Sequence, residues 1–149
     1  MQQVVERTQQ AATIMRDNQG NDLYEQLSAT EDNVWMLDRY IESAWQEIVE
    51  LCRAYIYCQP TITDSDEVTR DYTIVLLMPQ SWDVVNAITI DKAIEEYMVS
   101  QVTTRWWISK GVSEQATIEA ERASERKSEI KYTLNSRRRT RDGRPISYI

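Results

Sequence analysis

An apolar stripe from residue 31 to residue 58 is the feature that most limits what this chain can fold into. Its members recur at alternating steps of three and four residues, which places their side chains on one face of an α-helix. A stripe this wide must contact more than one neighbour, because a narrow seam would leave Trp35, Trp45 and Ile56 facing water. We therefore predict the central helix of a bundle here. The stripe consists of Val34, Leu37, Ile41, Ala44, Ile48, Leu51, Tyr55 and Cys58, widened by Trp35, Tyr40, Trp45, Val49, Cys52 and Ile56.

The ends of this helix carry their own signals. Ser28 or Thr30 can cap its first turn, Glu31 completes a capping-box pattern with Ser28, and Pro60 ends the helix. Three Gly and three Pro in 149 residues leave few places for tight turns. This scarcity favours long helices over a sandwich or barrel, so the fold class is predicted to be mainly α.

Two further long helices are predicted in the second half of the chain. One begins at Thr89 or Asp91 and stops at Gly111, and the next is capped by Ser113 and runs to Arg137. The inward face of the last helix is assigned to Ala116, Ala120, Ala123, Ile130 and Leu134. Its charged residues, Glu119, Glu121, Arg122, Glu125, Arg126, Glu129 and Lys131, are interpreted as an ordinary solvated surface.

The remaining segments divide the chain. Residues 61–71 are interpreted as an acidic loop, and residues 72–78 as one short strand-like segment whose partner a second chain or the extended tail could supply. The end is predicted to be extended because Gly143 and Pro145 continue a helix poorly. The predicted organisation is an N-terminal helix at 1–16, a linker at 17–30, a helical body at 31–136 and a basic extended tail at 137–149.

Charge is distributed unevenly between the body and the tail. Residues 1–136 contain 12 Lys and Arg against 23 Asp and Glu, a net of −11, whereas residues 137–149 contain five Arg against one Asp, a net of +4. Such a tail can dock on an acidic protein groove, neutralise nucleic-acid phosphates or remain a solvated end. Docking is favoured because alternating apolar anchors follow the charges. The predicted partner-binding residues of the tail are Arg137, Arg138, Arg139, Arg141, Arg144, Ile146, Tyr148 and Ile149.

The tryptophan pair Trp106-Trp107 offers a second candidate contact. Together with Tyr97 these residues could form a base-stacking platform, but few basic residues accompany them, so core packing is favoured. Because adjacent helical residues point in different directions, one of the two tryptophans should lie off the buried face. We predict that Trp107 marks a subunit contact.

The residue inventory argues against catalysis. The chain has no histidine, which removes the usual general base and the commonest metal ligand, and it has no glycine-rich phosphate loop. Cys52 and Cys58 lie about 9 Å apart along one predicted helix, so they are expected to be reduced thiols packed as small apolar groups. We expect a protein without catalytic, metal-binding or cofactor-binding residues, which is no enzyme. The carboxylates weighed and assigned to solvated surface are Asp64, Asp66, Glu67, Glu95 and Glu96.

The order of these parts resembles the small helical head-tail connector, or neck, proteins of tailed bacteriophages, particularly those infecting gut Bacteroidales. The resemblance rests on residues 90–99 with Arg105-Trp106-Trp107, on the charged helix from Ser113 to Leu134, and on the arginine-rich end, about 60 residues in all. In that family several copies form a ring beneath the portal, and extended termini reach into it.

The resemblance therefore implies a structural virion protein that assembles in the host cytoplasm. Its expected partners are copies of itself, the portal protein and other neck or tail proteins, with residues 137–149 in the docking role. The acidic body would let DNA pass without specific binding, and no membrane is involved, since no window approaches the roughly 18 apolar residues of a membrane span. Adaptor, stopper and tail-completion roles stay open.

Two other classes of function remain compatible with the residues. The first alternative is an intracellular helical regulatory adaptor that binds a protein or a nucleic acid through the basic tail. The second is an enzyme subunit that supplies Asp64, Asp66 or Glu67 to a site completed by another chain. Removing the tail separates these functions, because the connector and the regulatory adaptor depend on it whereas the enzyme subunit does not.

Overall fold

The fold begins from the long helices that the periodic segments predict, and the mainly α class is confirmed. The computed structural model describes residues 1–17, 19–66 and 69–137. Short 3-10 turns at Glu31–Asn33 and Arg53–Tyr55 flank the third helix. The α-helices of the described ranges are α1 (Gln2–Ala12), α2 (Tyr24–Leu27), α3 (Val34–Cys52), α4 (Asn86–Ser109) and α5 (Ser113–Asn135), with strands β1 (Thr61–Asp66) and β2 (Thr69–Thr73) between α3 and α4.

Helix α4 is the centre of the bundle, because it packs against α1, α3 and α5. The prediction that the 31–58 helix is central is wrong. A helix with neighbours on several sides buries residues all around its circumference, so α4 has no single apolar stripe to recognise. The α3 stripe is conspicuous because its opposite side faces solvent, as Trp35 does with 64% of its surface exposed. Trp35 lies about 160° around the helix from buried Leu37.

The helix directions define two ends of the bundle. Helices α4 and α5 form an antiparallel pair joined at Gly111, whose φ of +74° is accessible to glycine at little cost. Helix α3 also runs antiparallel to α4, since Tyr40 contacts Arg105 whereas Glu47 contacts Tyr97. We call end A the place where α4 ends and α3 and α5 begin. End B is the place where α4 begins and α3 and α5 end.

Each end has its own apolar core. The end A core is built around Trp106 and Trp107, and the end B core lies between α3, α4 and the second half of α5. The end A core comprises Val4, Ala12, Ala29, Leu37, Ala44, Val99, Val102, Trp106, Trp107 and Ala116. The end B core comprises Trp45, Ile48, Cys52, Ile90, Ala93, Tyr97, Ala123, Ile130 and Leu134.

A β-ribbon covers part of the end B core. Strands β1 and β2 pair antiparallel with Thr61 opposite Thr73, and the ribbon continues as a bridge between Ile56 and Leu76. The prediction of a loop over residues 61–71 is therefore wrong, and the strand-like segment 72–78 finds its partner within the described chain. Threonine-rich alternation supports an exposed two-stranded ribbon although it is not apolar. One face of the ribbon packs inward through Tyr72, Ile74, Leu76 and Met78.

The seam of α5 differs by one position from the predicted inward face. Ala120 is exposed, whereas Glu119 is buried with 3% of its surface accessible. Steps of three and then four residues from Ala116 lead to Glu119 and Ala123, so the seam passes through the carboxylate. The other predicted inward residues of α5 are buried as expected.

Helix ends agree with the predictions to within six residues. Helix α1 ends at Ala12 rather than at residue 16, and α3 leaves α-geometry after Cys52. The prediction that Ser28 or Thr30 caps the α3 helix is wrong: the N-cap residue is Asn33, and its side chain instead accepts bonds from the Thr30 amide and hydroxyl, both 3.1 Å long. The predicted linker at 17–30 contains the short helix α2.

Candidate partner-binding surfaces

The root of the basic tail is the last turn of α5, and three side chains from other elements hold it. The indole Nε1 of Trp82 donates to the carbonyl of Thr133 at 2.8 Å. The amide Nδ2 of Asn86, in the first turn of α4, donates to the hydroxyl of Ser136 at 2.6 Å. The Tyr55 hydroxyl donates to the side-chain oxygen of Asn135 at 3.0 Å. Because these bonds come from two separate segments, the turn after α3 and the turn into α4, they hold the last turn of α5 in place.

Of the predicted tail residues, the described chain includes Arg137. Its guanidinium is exposed and donates to the carbonyl oxygens of Leu134 at 3.1 Å and Ser136 at 2.9 Å. The negative end of the helix dipole stabilises a cation in this position. The other predicted contact residues lie outside the described residues: Arg138, Arg139, Arg141, Arg144, Ile146, Tyr148 and Ile149.

The prediction of a subunit contact at Trp107 is wrong. Trp107 has 1% of its surface exposed, and Trp106 is fully buried. Two adjacent tryptophans can both be buried because neighbouring elements cover α4 on more than one side. The Trp106 indole donates to the carbonyl of Leu27 at 2.8 Å, and Lys110 lies 4.6 Å from the Trp106 ring centroid. The preference for core packing over base stacking at this pair is confirmed.

A buried carboxylate joins α1, α4 and α5. Arg7 of α1 donates to Glu119 of α5 at 3.1 Å and to the hydroxyl of Ser100 of α4 at 2.9 Å. Its second nitrogen contacts Glu96 at 3.2 Å, and Arg122 contacts the other Glu119 oxygen at 2.6 Å. The solvated-surface interpretation therefore fails for Glu119. The alanine spacing around Glu119 was the signal that could have located it.

A second polar cluster joins α3 to α4 through Glu47. The carboxylate accepts from Arg105 at 2.6 Å, from Gln101 at 3.3 Å and from the hydroxyl of buried Tyr97. Burial and the hydrogen bond to Glu47 together raise the pKa of Tyr97 above its usual value. These contacts satisfy the polar groups of both helices and orient Arg105 towards α3, where it also donates to the Tyr40 carbonyl at 3.3 Å.

Beside this cluster, a groove opens on the α3 side of the bundle. We call it the tryptophan groove; its volume is about 530 Å³, and it is lined by Trp35, Met36, Arg39, Tyr40, Ser43 and Arg105. The charge of Arg105 is paired with Glu47, whereas the exposed Arg39 has no ion pair in the part of the chain that the structure describes. Exposed aromatic residues beside arginine and methionine are the composition that protein interfaces favour.

A second apolar surface lies at end B. Val84, Val85 and Ile88, which we call the valine patch, have between 66% and 70% of their surface exposed. Val84 and Val85 directly precede α4 and lie four and three residues before Ile88, the spacing that places helical side chains on one face. The first turn of α4 also supplies Asn86, but this side chain lies about 160° around the helix from Ile88 and bonds to the tail root instead.

The groups considered for chemistry are separated in the fold. Asp64 and Asp66 lie on β1, Glu67 lies outside the described residues, and Glu95 and Glu96 are exposed on α4 as predicted. Within the described ranges, no three potential metal ligands lie close enough together to hold an ion. Each helix of those ranges is too short or too polar to cross a membrane.

The two cysteines have different environments. Cys52 lies in the end B core, and burial raises the pKa of its thiol to about 11. Cys58 is exposed beyond the end of α3, so the prediction that both thiols pack as small apolar groups holds only for Cys52. Both are free thiols, as expected.

No protein-family model matches this chain, and no curated protein or solved structure shows significant similarity to it.

Proposed function

We propose that this chain is a structural assembly protein without catalytic activity. In its native setting it forms part of the head-tail connector, or neck, ring of a tailed bacteriophage and docks on the portal protein through residues 137–149. The observation that carries the proposal is the position of the charge: five arginines follow an acidic body directly at the α5 end, where Tyr55, Trp82 and Asn86 hold the chain.

A fixed tail root supports docking for an energetic reason. A segment that orders on binding loses conformational entropy, and each residue held before binding reduces that loss. The last helical turn is already held by bonds from the turn after α3 and from the turn into α4, so a partner would not have to order it. Arginine suits this role because its planar guanidinium makes two hydrogen bonds to one carboxylate.

The buried polar clusters support assembly rather than chemistry. Glu119 and Glu47 are each engaged by arginines, and together the clusters connect four helices. Such pairing holds the helices in fixed positions, and the paired carboxylates are not available as catalytic groups. The exposed apolar side chains, by contrast, include Trp35 in the tryptophan groove and the three residues of the valine patch, which another protein can cover.

The negative charge of the body supports a role beside DNA without specific DNA binding. Residues 1–136 carry a net charge of −11, which repels phosphates across the body surface. In a ring around a DNA channel, this negative charge would allow the DNA to pass. Binding at the tail and repulsion at the body would then be separate properties of the same subunit.

Copy number in the particle tests the proposal most directly. DNA-filled particles purified from the native source should contain this chain in near-equal copy number to the portal protein, as measured by quantitative mass spectrometry. Absence of the chain from intact particles rejects the connector function. The search for partners would then move to the host interior, where a regulatory adaptor would act.

Removal of the tail tests the docking role separately. A variant lacking residues 138–149 retains the bonded root and should keep its helical content while losing binding to isolated portal protein. A matched control carries Lys127→Gln and Lys131→Gln, which remove cations from the body of α5 and should leave binding unchanged. Loss of salt-sensitive DNA binding without any effect on portal binding would instead indicate a nucleic-acid adaptor.

A further inference from the structure

The valine patch and the tryptophan groove lie at opposite ends of the bundle. Val85 and Arg105 are 20 residues apart on helix α4, which corresponds to about 30 Å along its axis. Two surfaces this far apart on one chain cannot meet each other within that chain. They can meet when one copy places its end B against end A of the next.

The valine patch has the properties of an inserted surface. Its three aliphatic residues are spaced three or four positions from one another or adjacent in sequence, and each leaves about two thirds of its surface in contact with solvent. Asp91, Lys92 and Glu95 are exposed on the same face of α4 as Ile88, so the rim of the patch has a net negative charge. Ile88 lies on the opposite side of α4 from Asn86, which bonds to the tail root, so the patch and the root are separate surfaces.

The tryptophan groove has the properties of a receiving surface. Trp35, Met36 and Tyr40 provide apolar walls, and its volume of about 530 Å³ accommodates more than one aliphatic side chain. Its cation at Arg39 has no ion pair among the described residues, so the groove offers positive charge to the acidic rim. Tryptophan, tyrosine and arginine are also the residues on which binding energy concentrates.

From these complementary surfaces we propose that the valine patch of one copy docks in the tryptophan groove of a second copy. Apolar side chains of Val84, Val85 and Ile88 are covered by the aromatic walls, and the Arg39 guanidinium lies beside the acidic rim. A contact between two different surfaces repeats from copy to copy and produces a ring when the rotation closes. The inference deepens the proposed function, and it rests on that function only for the closure of the ring.

Complementation between two variants tests the head-to-tail contact. Sedimentation velocity of the full chain should show self-association at concentrations up to about 100 µM. At that concentration a contact with a Kd of about 10 µM is well populated. Trp35→Ala removes an aromatic wall of the groove, and Val85→Glu places a charge in the patch. Each should weaken self-association at least about tenfold. An equimolar mixture should nevertheless form a one-to-one dimer that grows no further, since each variant keeps the surface that the other lacks.

Tyr132→Glu provides the matched control at end B. Tyr132 is exposed on α5 outside both surfaces, so its replacement should leave self-association unchanged. Circular dichroism and thermal melting of each variant establish that the fold is retained, which the exposure of Trp35 and Val85 leads us to expect. The proposal is overturned by a wild-type chain that stays monomeric at about 100 µM, or by a mixture that fails to dimerise.

The outcomes separate this inference from the proposed function. A chain that is present in particles but forms no complementing dimer retains the connector role and loses the head-to-tail contact. A chain that forms the complementing dimer but is absent from particles retains the contact and loses the connector role.

Discussion

Adjacent apolar residues at the two ends of the bundle differ in how much of their surface is exposed to solvent. At end A, Trp106 and Trp107 are adjacent in sequence and both buried, because surrounding elements cover α4 on more than one side. At end B, Trp82 contacts the last turn of α5, but Val84 and Val85 beside it remain exposed. One pair of adjacent apolar residues is therefore buried, and the other is exposed.

This difference shows that packing by neighbouring elements, rather than the hydrophobicity of a side chain, decides which apolar residues are available to a partner. A buried tryptophan contributes to the stability of its own chain, whereas an exposed valine can contribute only when another molecule covers it. End A combines the core around Trp106 and Trp107 with exposed Trp35 in the tryptophan groove. End B combines a core beneath the β-ribbon with the exposed valine patch and the root of the tail.

Truncation of Trp107 should have the largest effect and tests the contrast directly. Trp107→Ala should lower the free energy of unfolding by about 3–5 kcal/mol, because it removes a fully packed indole and leaves a cavity. Val85→Ala at end B should change it by less than about 0.5 kcal/mol. Urea unfolding monitored by circular dichroism measures both. Similar losses at the two positions would contradict the contrast.

Removal of the Glu119 carboxylate should rank second. Glu119→Ala leaves the partly buried guanidinium of Arg7 without its main partner, and should cost about 2–4 kcal/mol. The control is Glu129→Ala, which removes a more exposed carboxylate bonded to Arg126 and should cost less than about 1 kcal/mol. Equal costs would show that the α1 contact adds little to the stability of the bundle.

Alkaline pH should weaken the end B core. Burial raises the pKa of Cys52 from its usual 9.0 to about 11 in the folded chain, so its stabilising contribution is complete below pH 9. Between pH 9 and pH 11 the unfolded state loses the proton first, and stability falls by at most about 1.4 kcal/mol per pH unit. Tyr97, whose pKa is also raised, extends the fall to higher pH.

A Cys52→Ala variant checks the origin of that pH dependence. Its unfolding free energy should be lower at neutral pH but should change less between pH 9 and pH 11 than that of the wild-type chain. The exposed Cys58 serves as an internal control for accessibility, because it should react with a thiol reagent in the native state while Cys52 does not. Unchanged pH dependence in the variant would show that Cys52 does not cause it.

Loss of the indole bond at the tail root should have the smallest effect. Trp82→Phe retains most of the ring but removes the N–H that donates to Thr133, and should cost about 1 kcal/mol. Hydrogen exchange of the amides in the last turn of α5 should accelerate, while amides near Trp106 keep their protection. A loss as large as that of Trp107→Ala would mean that end B is as tightly constructed as end A.

The sequence by itself determined the mainly α fold, the positions of the three long helices and the burial of Trp106 and Tyr97. These features follow from local spacing, since helical periodicity, caps and the few Gly and Pro residues act within a short stretch of chain. The central position of α4 was not predictable in this way. A helix surrounded by neighbours loses the one-sided pattern that identifies an amphipathic helix.

Only the tertiary structure decided which surfaces are covered. It buried Trp107, placed Glu119 beside Arg7, paired residues 61–66 with 69–73, and left Trp35 and Val85 exposed. Each outcome depends on contacts between residues far apart in sequence, and the side-chain pattern of a single segment carries no record of what packs against it. Local periodicity therefore gives the helices, and the order in which they pack gives the surfaces.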